Sequence, residues 1–283
     1  MNAPPRRHIW LCADDYGISP SVNQAIRDLV AHGRINATSV MVVAPSFQGA
    51  EAMALDVLNA KARRVAVGLH LTLTAPFRPL SHGFSPLRKD TFLSLAATLH
   101  RTHVRSFVPE LLTIEIIRQF EAFEAAFGRP PDFVDGHQHV QLFPQIREAF
   151  LRVTKDAAPN AWVRQCGRAG AARKRLSDGK ALLLDGLSRR FRRLAGEFGV
   201  RTNPAFAGTY TFRTRADYRR LFSSFLDAMP DGGVVMCHPG MVDTELEGLD
   251  PLTGLREREY AFFSEDGFPA LLAEHGVTLE SRH

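Results

Sequence analysis

HIWLCADDYGISPSVNQAIRDLVAHG, residues 8–33, decides the fold, because it reads as one strand followed by one helix. The apolar run HIWLCA (8–13) stops at Asp14 and Asp15. Ser19 supplies a capping oxygen, Pro20 suits a first helical position whose N–H needs no partner, and Gly33 closes the helix. If that unit recurs along the chain, parallel strands joined by helical crossovers follow.

It does recur. ATSVMVVA (37–44) reads as a buried strand and AEAMALDVLNAKA (50–62) as a helix. VAVGLHLTLT (65–74) is strand-like and carries His70. Residues 75–108 mix Pro, Gly and His, and are expected to form a loop insertion. The 109–128 segment has apolar residues at helical spacing, with Gly128 as its stop. DFVDGHQHV (132–140) is predicted as a strand, with a helix from 144 to about 158. AWVRQ (161–165) predicts a further strand, 199–208 is turn-rich, and 215–229 is helical. GVVMCHPG (233–240) is a buried strand, REREYAFF (256–263) and FPALLAEHG (268–276) are helical, and VTLES (277–281) is the last strand. The expectation is α/β: one domain over 1–283, a deformed (β/α) barrel of about seven mostly parallel strands.

Composition narrows the classes. The chain has 283 residues, 45% hydrophobic and 23% charged, which suits a folded globular protein. Its start, MNAPPRRHIWLCADD, has neither an uninterrupted apolar region nor a small-residue cleavage site, which predicts a cytoplasmic protein. No apolar run approaches the roughly 20 residues of a membrane span. Three cysteines, Cys12, Cys166 and Cys237, lack CxxC spacing, so neither a disulfide framework nor a zinc ribbon is expected. The net charge of +5 gathers partly in 164–193, including RKR (173–175) and RRFRR (189–193). This run reads first as a solvated face, and second as contact with an anionic substrate or lipid. No nucleic-acid-binding signature accompanies it, so nucleic acid is not an expected partner.

Four strands end in ionisable residues: LCADDYG, GLHLTL, DGHQHV and MCHPG. The carboxyl ends of parallel strands form one rim, where active sites are built. Asp14, Asp15, His70, Asp135, His137, His139 and His238 should therefore converge. Each has a plain reading alone: a core histidine, a helix-capping aspartate, a turn. Four such coincidences at equivalent strand ends favour a site. Imidazole and carboxylate ligands suit Zn²⁺, Mn²⁺, Co²⁺ or Mg²⁺. Three such ligands leave a position for water, with a spare carboxylate as base and a spare histidine as acid. Adjacent aspartates in an extended segment should point in different directions, dividing metal binding from proton handling.

ADDYGIS, VGLHLTL, DGHQHVQLFP and MCHPG, in that order, resemble the motif set of the YdjC-like carbohydrate deacetylases, a family that includes chitooligosaccharide and hopanoid-associated deacetylases. The resemblance runs from about residue 8 through LREREY (255–260) to the carboxyl-terminal helix. It implies a deformed barrel related to polysaccharide deacetylases. It also implies removal of an acetyl group from an N-acetylated sugar with one divalent metal, Mg²⁺ or Zn²⁺ first and Mn²⁺ or Co²⁺ next. By position, Asp15, His70 and His137 match the metal ligands, Asp14 the base, and His238 the histidine that protonates the leaving amine or steadies the intermediate. Asp135, His139, Tyr16, Pro239 and Arg256 fall among supporting or substrate-facing residues, with His139 also open as a ligand. Tyr16 replaces the family's usual Phe and is expected to pack like it, with its hydroxyl near the rim.

The resemblance further implies an N-acetylated, chitooligosaccharide-like sugar partner and a homodimer, and the arginines of 164–193 point to a phosphorylated, nucleotide-linked or lipid-linked sugar. A lipid-linked sugar would bring peripheral contact with a membrane. Specificity is expected in the rim loops 75–108 and 166–210. The aromatic residues Phe77, Phe84, Trp162, Phe206 and Tyr210 either stack on sugar rings or pack the loops. Two alternatives stay open: a metal hydrolase of another amide or ester, and a sugar- or lipid-binding barrel without turnover.

Overall fold

The computed structural model describes residues 7–60, 65–169, 179–210, 217–227, 229–251 and 253–279, apart from the side chains at 180 and 181. Among them are nine strands. They are β1 (Arg7–Tyr16), β2 (Ala37–Val40), β3 (Ala66–Leu71), β4 (Phe133–Gly136) and β5 (Trp162–Val163), then β6 (Arg201–Thr202), β7 (Phe206–Ala207), β8 (Gly233–Cys237) and β9 (Val277–Thr278). Every pairing between them is parallel, in the order β6-β5-β4-β3-β2-β1-β8-β7, with β9 added at the start of β1. The sheet curls into a half-barrel. Asn203 extends the β5–β6 pairing by accepting from the Gln165 amide and donating to the Gln165 carbonyl, and the Phe206 amide of β7 donates to the Gly167 carbonyl beyond β5. The alternating strand and helix units thus build the expected deformed barrel.

Alternation along β1 puts His8, Trp10, Cys12 and Asp14 on one face. That face looks inward, since Asp14 meets Arg164 inside the curl. At one end of the barrel Trp10 and Trp162 lie 5.9 Å apart, centroid to centroid, and Phe133 stacks on Trp162 at 4.6 Å. Above them the interior admits Phe133 only because β3 carries Gly68: a Cβ there would lie 2.5 Å from the Phe133 ring. At the other end, past the strands' carboxyl termini, the interior turns polar.

The first helix, Pro20–Ala31, is capped by the Ser19 hydroxyl, and Gly33 follows in a left-handed conformation. The long helix Pro109–Phe127 ends at Gly128, whose φ of 65° is left-handed. Near the carboxyl terminus, Tyr218 and Phe222 interlock with Phe262, Phe263 and Phe268. This aromatic cluster fastens the helix Thr253–Ser264, which buries Leu255, Arg256, Glu259, Phe262 and Phe263 at helical spacing.

Several expectations need correction. The strand predicted over 132–140 stops at Gly136; His137–Leu142 is a 3₁₀ helix with Gln138 and His139 at positive φ. His137 and His139 therefore do not share a strand face. The 75–108 insertion contains a helix, Leu95–His103, capped by Ser94. The turn-rich 199–208 segment holds β6 and β7, each two residues long and too short to leave an alternation. The basic run is not one solvated face. Arg164 is fully buried, and Gly179–Glu197 is a helix that buries Leu184, Leu187, Ser188, Phe191 and Ala195 while exposing Arg189, Arg190 and Arg193; residues 173–175 fall outside the described residues. The three cysteines are free and buried. Among the described residues, no helix is long and apolar enough to cross a membrane.

Candidate metal centre and catalytic cavity

The two aspartates near the carboxyl end of β1 sit on a bulge. Ala13 pairs with Thr38 and Tyr16 with Val40, so Asp14 and Asp15 together stand opposite one residue, Ser39. Asp15 adopts φ 69°, the left-handed region that asparagine and aspartate tolerate better than most residues. A regular strand would turn these neighbours to opposite faces. The bulge re-aims the backbone, and both carboxylates line one cavity of about 240 Å³. The expected divergence of Asp14 and Asp15 is thus replaced by a shared cavity with separate partners.

Asp15 Oδ1 lies 3.0 Å from His137 Nδ1 and 3.3 Å from His70 Nε2. One ligand atom from each of these three residues lies within 4.8 Å of the others. His70 Nδ1 is 2.5 Å from Asp135 Oδ1 and 3.0 Å from the Ser39 hydroxyl, so its other nitrogen turns toward Asp15. Burial opposes the charged imidazole of His70, but the neighbouring Asp135 and Asp15 carboxylates push its pKa up to about 10. Burial likewise works against the Asp15 carboxylate. Arg256, His137 and His70 outweigh it and hold the group well below the usual range.

Asp14 has a different partner. Arg164, at the carboxyl end of the fifth strand, donates from both terminal nitrogens, at 2.6 Å to Oδ2 and 2.7 Å to Oδ1. The same guanidinium lies 2.6 Å from Asp135 Oδ2. Despite burial, this fork and nearby His70 keep the Asp14 carboxyl far below its ordinary range. Cys12, Asp14 and Asp135 form a second trio of metal-type donors. Arg164 already neutralises its carboxylates, and burial pushes the Cys12 thiol well up, so this trio is a charge clamp rather than a cation site.

The helix Thr253–Ser264 inserts two residues one turn apart. Arg256 donates to Asp15 Oδ2 at 2.5 Å and to Asp250 Oδ2 at 2.6 Å. Glu259, also buried, accepts from the His238 backbone N–H at 2.5 Å and from the Tyr210 hydroxyl at 2.6 Å. His238 itself lines the cavity. His139 lines it too, but its Nδ1 faces the Cys166 thiol at 3.5 Å and its ring packs on Phe206, outside the three-residue cluster.

Two expected residues lie elsewhere. Tyr16 is buried and does not line the cavity. Its hydroxyl donates to Glu51 Oε2 at 2.6 Å and accepts from Arg27 at 3.0 Å, between the helices Pro20–Ala31 and Gly49–Asn59. Pro239 is buried behind His238 and does not line the cavity either. Phe77, Phe84 and Phe206 are core residues, and Trp162 belongs to the opposite end of the barrel. Arg164 and Glu259 are the residues sequence reading missed. Arg164 had a signal, since AWVRQ is another apolar strand ending in an ionisable residue. Glu259 had only its place on the buried face of LREREY, one turn after Arg256.

The YdjC-like protein family matches residues 8–274. Among curated proteins, a carbohydrate deacetylase of Vibrio vulnificus (strain YJ016) is 28% identical over 268 residues, covering 94% of this chain and 91% of that one. A chitooligosaccharide deacetylase of Proteus mirabilis is 26% identical over 268 residues, with 94% of each chain covered. Among solved structures, a proposed cellobiose-phosphate cleavage protein of Enterococcus faecalis superposes with a TM-score of 0.73 at 20% identity, over 98% of this chain and 97% of that one. The lactam utilization protein of Thermus thermophilus follows at 0.51 and 13% identity, over 97% and 100%. Both structures share the fold.

Proposed function

The chain belongs to the YdjC-like protein family, and on that premise we propose that it is a metal-dependent deacetylase. Its substrate would be an N-acetylated sugar, from which it releases acetate and a free amine. The observation that carries this reading is the meeting of Asp15, His70 and His137 beside Asp14 in one cavity. The donor set fits a divalent ion: one carboxylate oxygen and two imidazole nitrogens, with His70 oriented through its other nitrogen by Asp135. No thiolate joins the set, which leaves Mg²⁺, Zn²⁺, Mn²⁺ and Co²⁺ all eligible. When bound, such an ion supplies Lewis acidity toward the acetyl carbonyl and makes water more acidic.

The chain's own residues divide the proton work. Asp14 stays ionised because Arg164 holds both its oxygens. It therefore orients the attacking water as an acceptor and takes its proton transiently, rather than titrating near neutrality. Water adds to the acetamide carbon, the C–N bond breaks, and His238 delivers a proton to the departing nitrogen. Glu259 fixes the backbone from which His238 projects. Base and acid thus line the same cavity as the ligands, within reach of one bound acetamide.

Acetate release from N-acetylated sugars, by protein stripped with a chelator and reloaded with each ion, tests the reading. Metal-dependent release that disappears in His137→Ala and Asp14→Asn is expected. A folded, metal-binding protein that releases no acetate from mono-, oligo-, nucleotide- or lipid-linked N-acetylglucosamine would overturn the substrate class.

A further inference from the structure

Arg256 divides the two oxygens of Asp15. Oδ1 faces His137 Nδ1 at 3.0 Å and His70 Nε2 at 3.3 Å, while Oδ2 takes the Arg256 guanidinium at 2.5 Å. The guanidinium is itself anchored, since Arg256 Nε and one terminal nitrogen reach the same Asp250 oxygen at 2.9 and 2.6 Å. Asp250 and Arg256 both line the cavity, and Arg256 is 2% exposed. An arginine stays charged at any working pH and grips a carboxylate with directional N–H groups, so this partition is permanent rather than a matter of protonation.

We propose that Arg256, held by Asp250, is a positioning residue that restricts Asp15 to a single ligating oxygen and so keeps a coordination position free for the substrate. The proposal rests on the reading of Asp15, His70 and His137 as metal ligands. A carboxylate relieved of its guanidinium can turn both oxygens to a cation, raising the coordination number and filling the place the acetyl oxygen needs. Merely structural support would loosen the site without changing how Asp15 binds.

Co²⁺ reports this directly, because its visible absorption weakens and moves to shorter wavelength as coordination number rises. Chelated protein reloaded with Co²⁺ is compared for wild type, Arg256→Met, Arg256→Lys and Asp250→Ala. In Arg256→Met we expect a weaker, blue-shifted spectrum, undiminished Co²⁺ affinity, and kcat lower by roughly 10- to 100-fold, the usual scale for a residue supporting a ligand. Arg256→Lys restores the wild-type spectrum, since an ammonium can still occupy Oδ2. Asp250→Ala shifts the spectrum the same way by less, and decides the matter if Arg256→Met does not fold. Unchanged spectra in the folded variants, or lost affinity with an unchanged spectrum, overturn the proposal. A wild-type protein that takes up no Co²⁺ in a His137-dependent manner strikes instead at the metal reading beneath it.

Discussion

Replacing Arg164 by methionine should be among the most damaging single changes in the barrel, and its damage should shrink in acid. The guanidinium is fully buried between the Asp14 and Asp135 carboxylates, which are 2% and 0% exposed. Methionine fills much of the volume but leaves two neighbouring buried carboxylates without their shared cation, Asp135 keeping only His70 and Asp14 only the Ser39 hydroxyl. Removing one partner of a buried pair costs about 3–5 kcal/mol, against a total stability of about 5–15 kcal/mol. At about 2–4 °C per kcal/mol for a chain of this size class, the midpoint should fall by roughly 6–20 °C at pH 7.5. The sign with pH follows from Asp14. In the wild type its folded pKa is depressed, so its contribution is present above the unfolded value near 3.9 and is lost as pH falls below that. In the variant, burial acts without Arg164 to oppose it, so the Asp14 carboxyl sits higher than in the wild type even though His70 and His238 still favour its charge. Protonation then relieves the cost of the buried charge, and the deficit relative to wild type should be smaller at pH 5 than at pH 7.5. Thermal unfolding by circular dichroism across that range, with Arg164→Met/Asp135→Asn as a partial rescue, is the assay. A midpoint within about 2 °C of wild type at pH 7.5, or a deficit that grows on acidification, would refute the reasoning.

Other outcomes follow from the same geometry. Asp135→Asn removes the carboxylate that orients His70 through Nδ1, and should weaken metal affinity by roughly 10- to 100-fold in chelator competition. Metal-free His70 holds its proton to about pH 10, so its charge stabilises the fold below its unfolded pKa near 6.5, and this contribution is lost as pH rises through about 10. Titration calorimetry in buffers of different ionisation enthalpy should accordingly register proton release on metal binding, with affinity rising with pH. Gly68→Ala forces a methyl against the Phe133 ring and should cost about 1–3 kcal/mol in urea unfolding, as overpacking does. Glu259→Ala frees the backbone of His238 and removes the acceptor of the Tyr210 hydroxyl, and should lower kcat more than it raises KM.

The sequence by itself determined the parallel α/β class, because apolar runs and capped helices alternate with local punctuation that needs no tertiary context: Ser19 and Pro20 at one helix start, Gly128 at one helix end. It also placed Asp14, Asp15, His70, Asp135, His137 and His238 on a common rim, because parallel strands present their carboxyl ends together. What it could not express is how each side chain turns once there. The bulge that aims Asp14 and Asp15 into one cavity, and the left-handed turn that separates His137 from His139, depend on backbone angles that alternation cannot encode. Tyr16 shows the converse: next to the key aspartates in sequence, it turns away to Arg27 and Glu51. The charge clamp of Arg164, 150 residues from Asp14, and the grip of Arg256, 241 residues from Asp15, were decided only by tertiary structure. A surface arginine and a buried one look alike in sequence; closure of the curled sheet removes water from one of them and leaves carboxylates as its remaining partners.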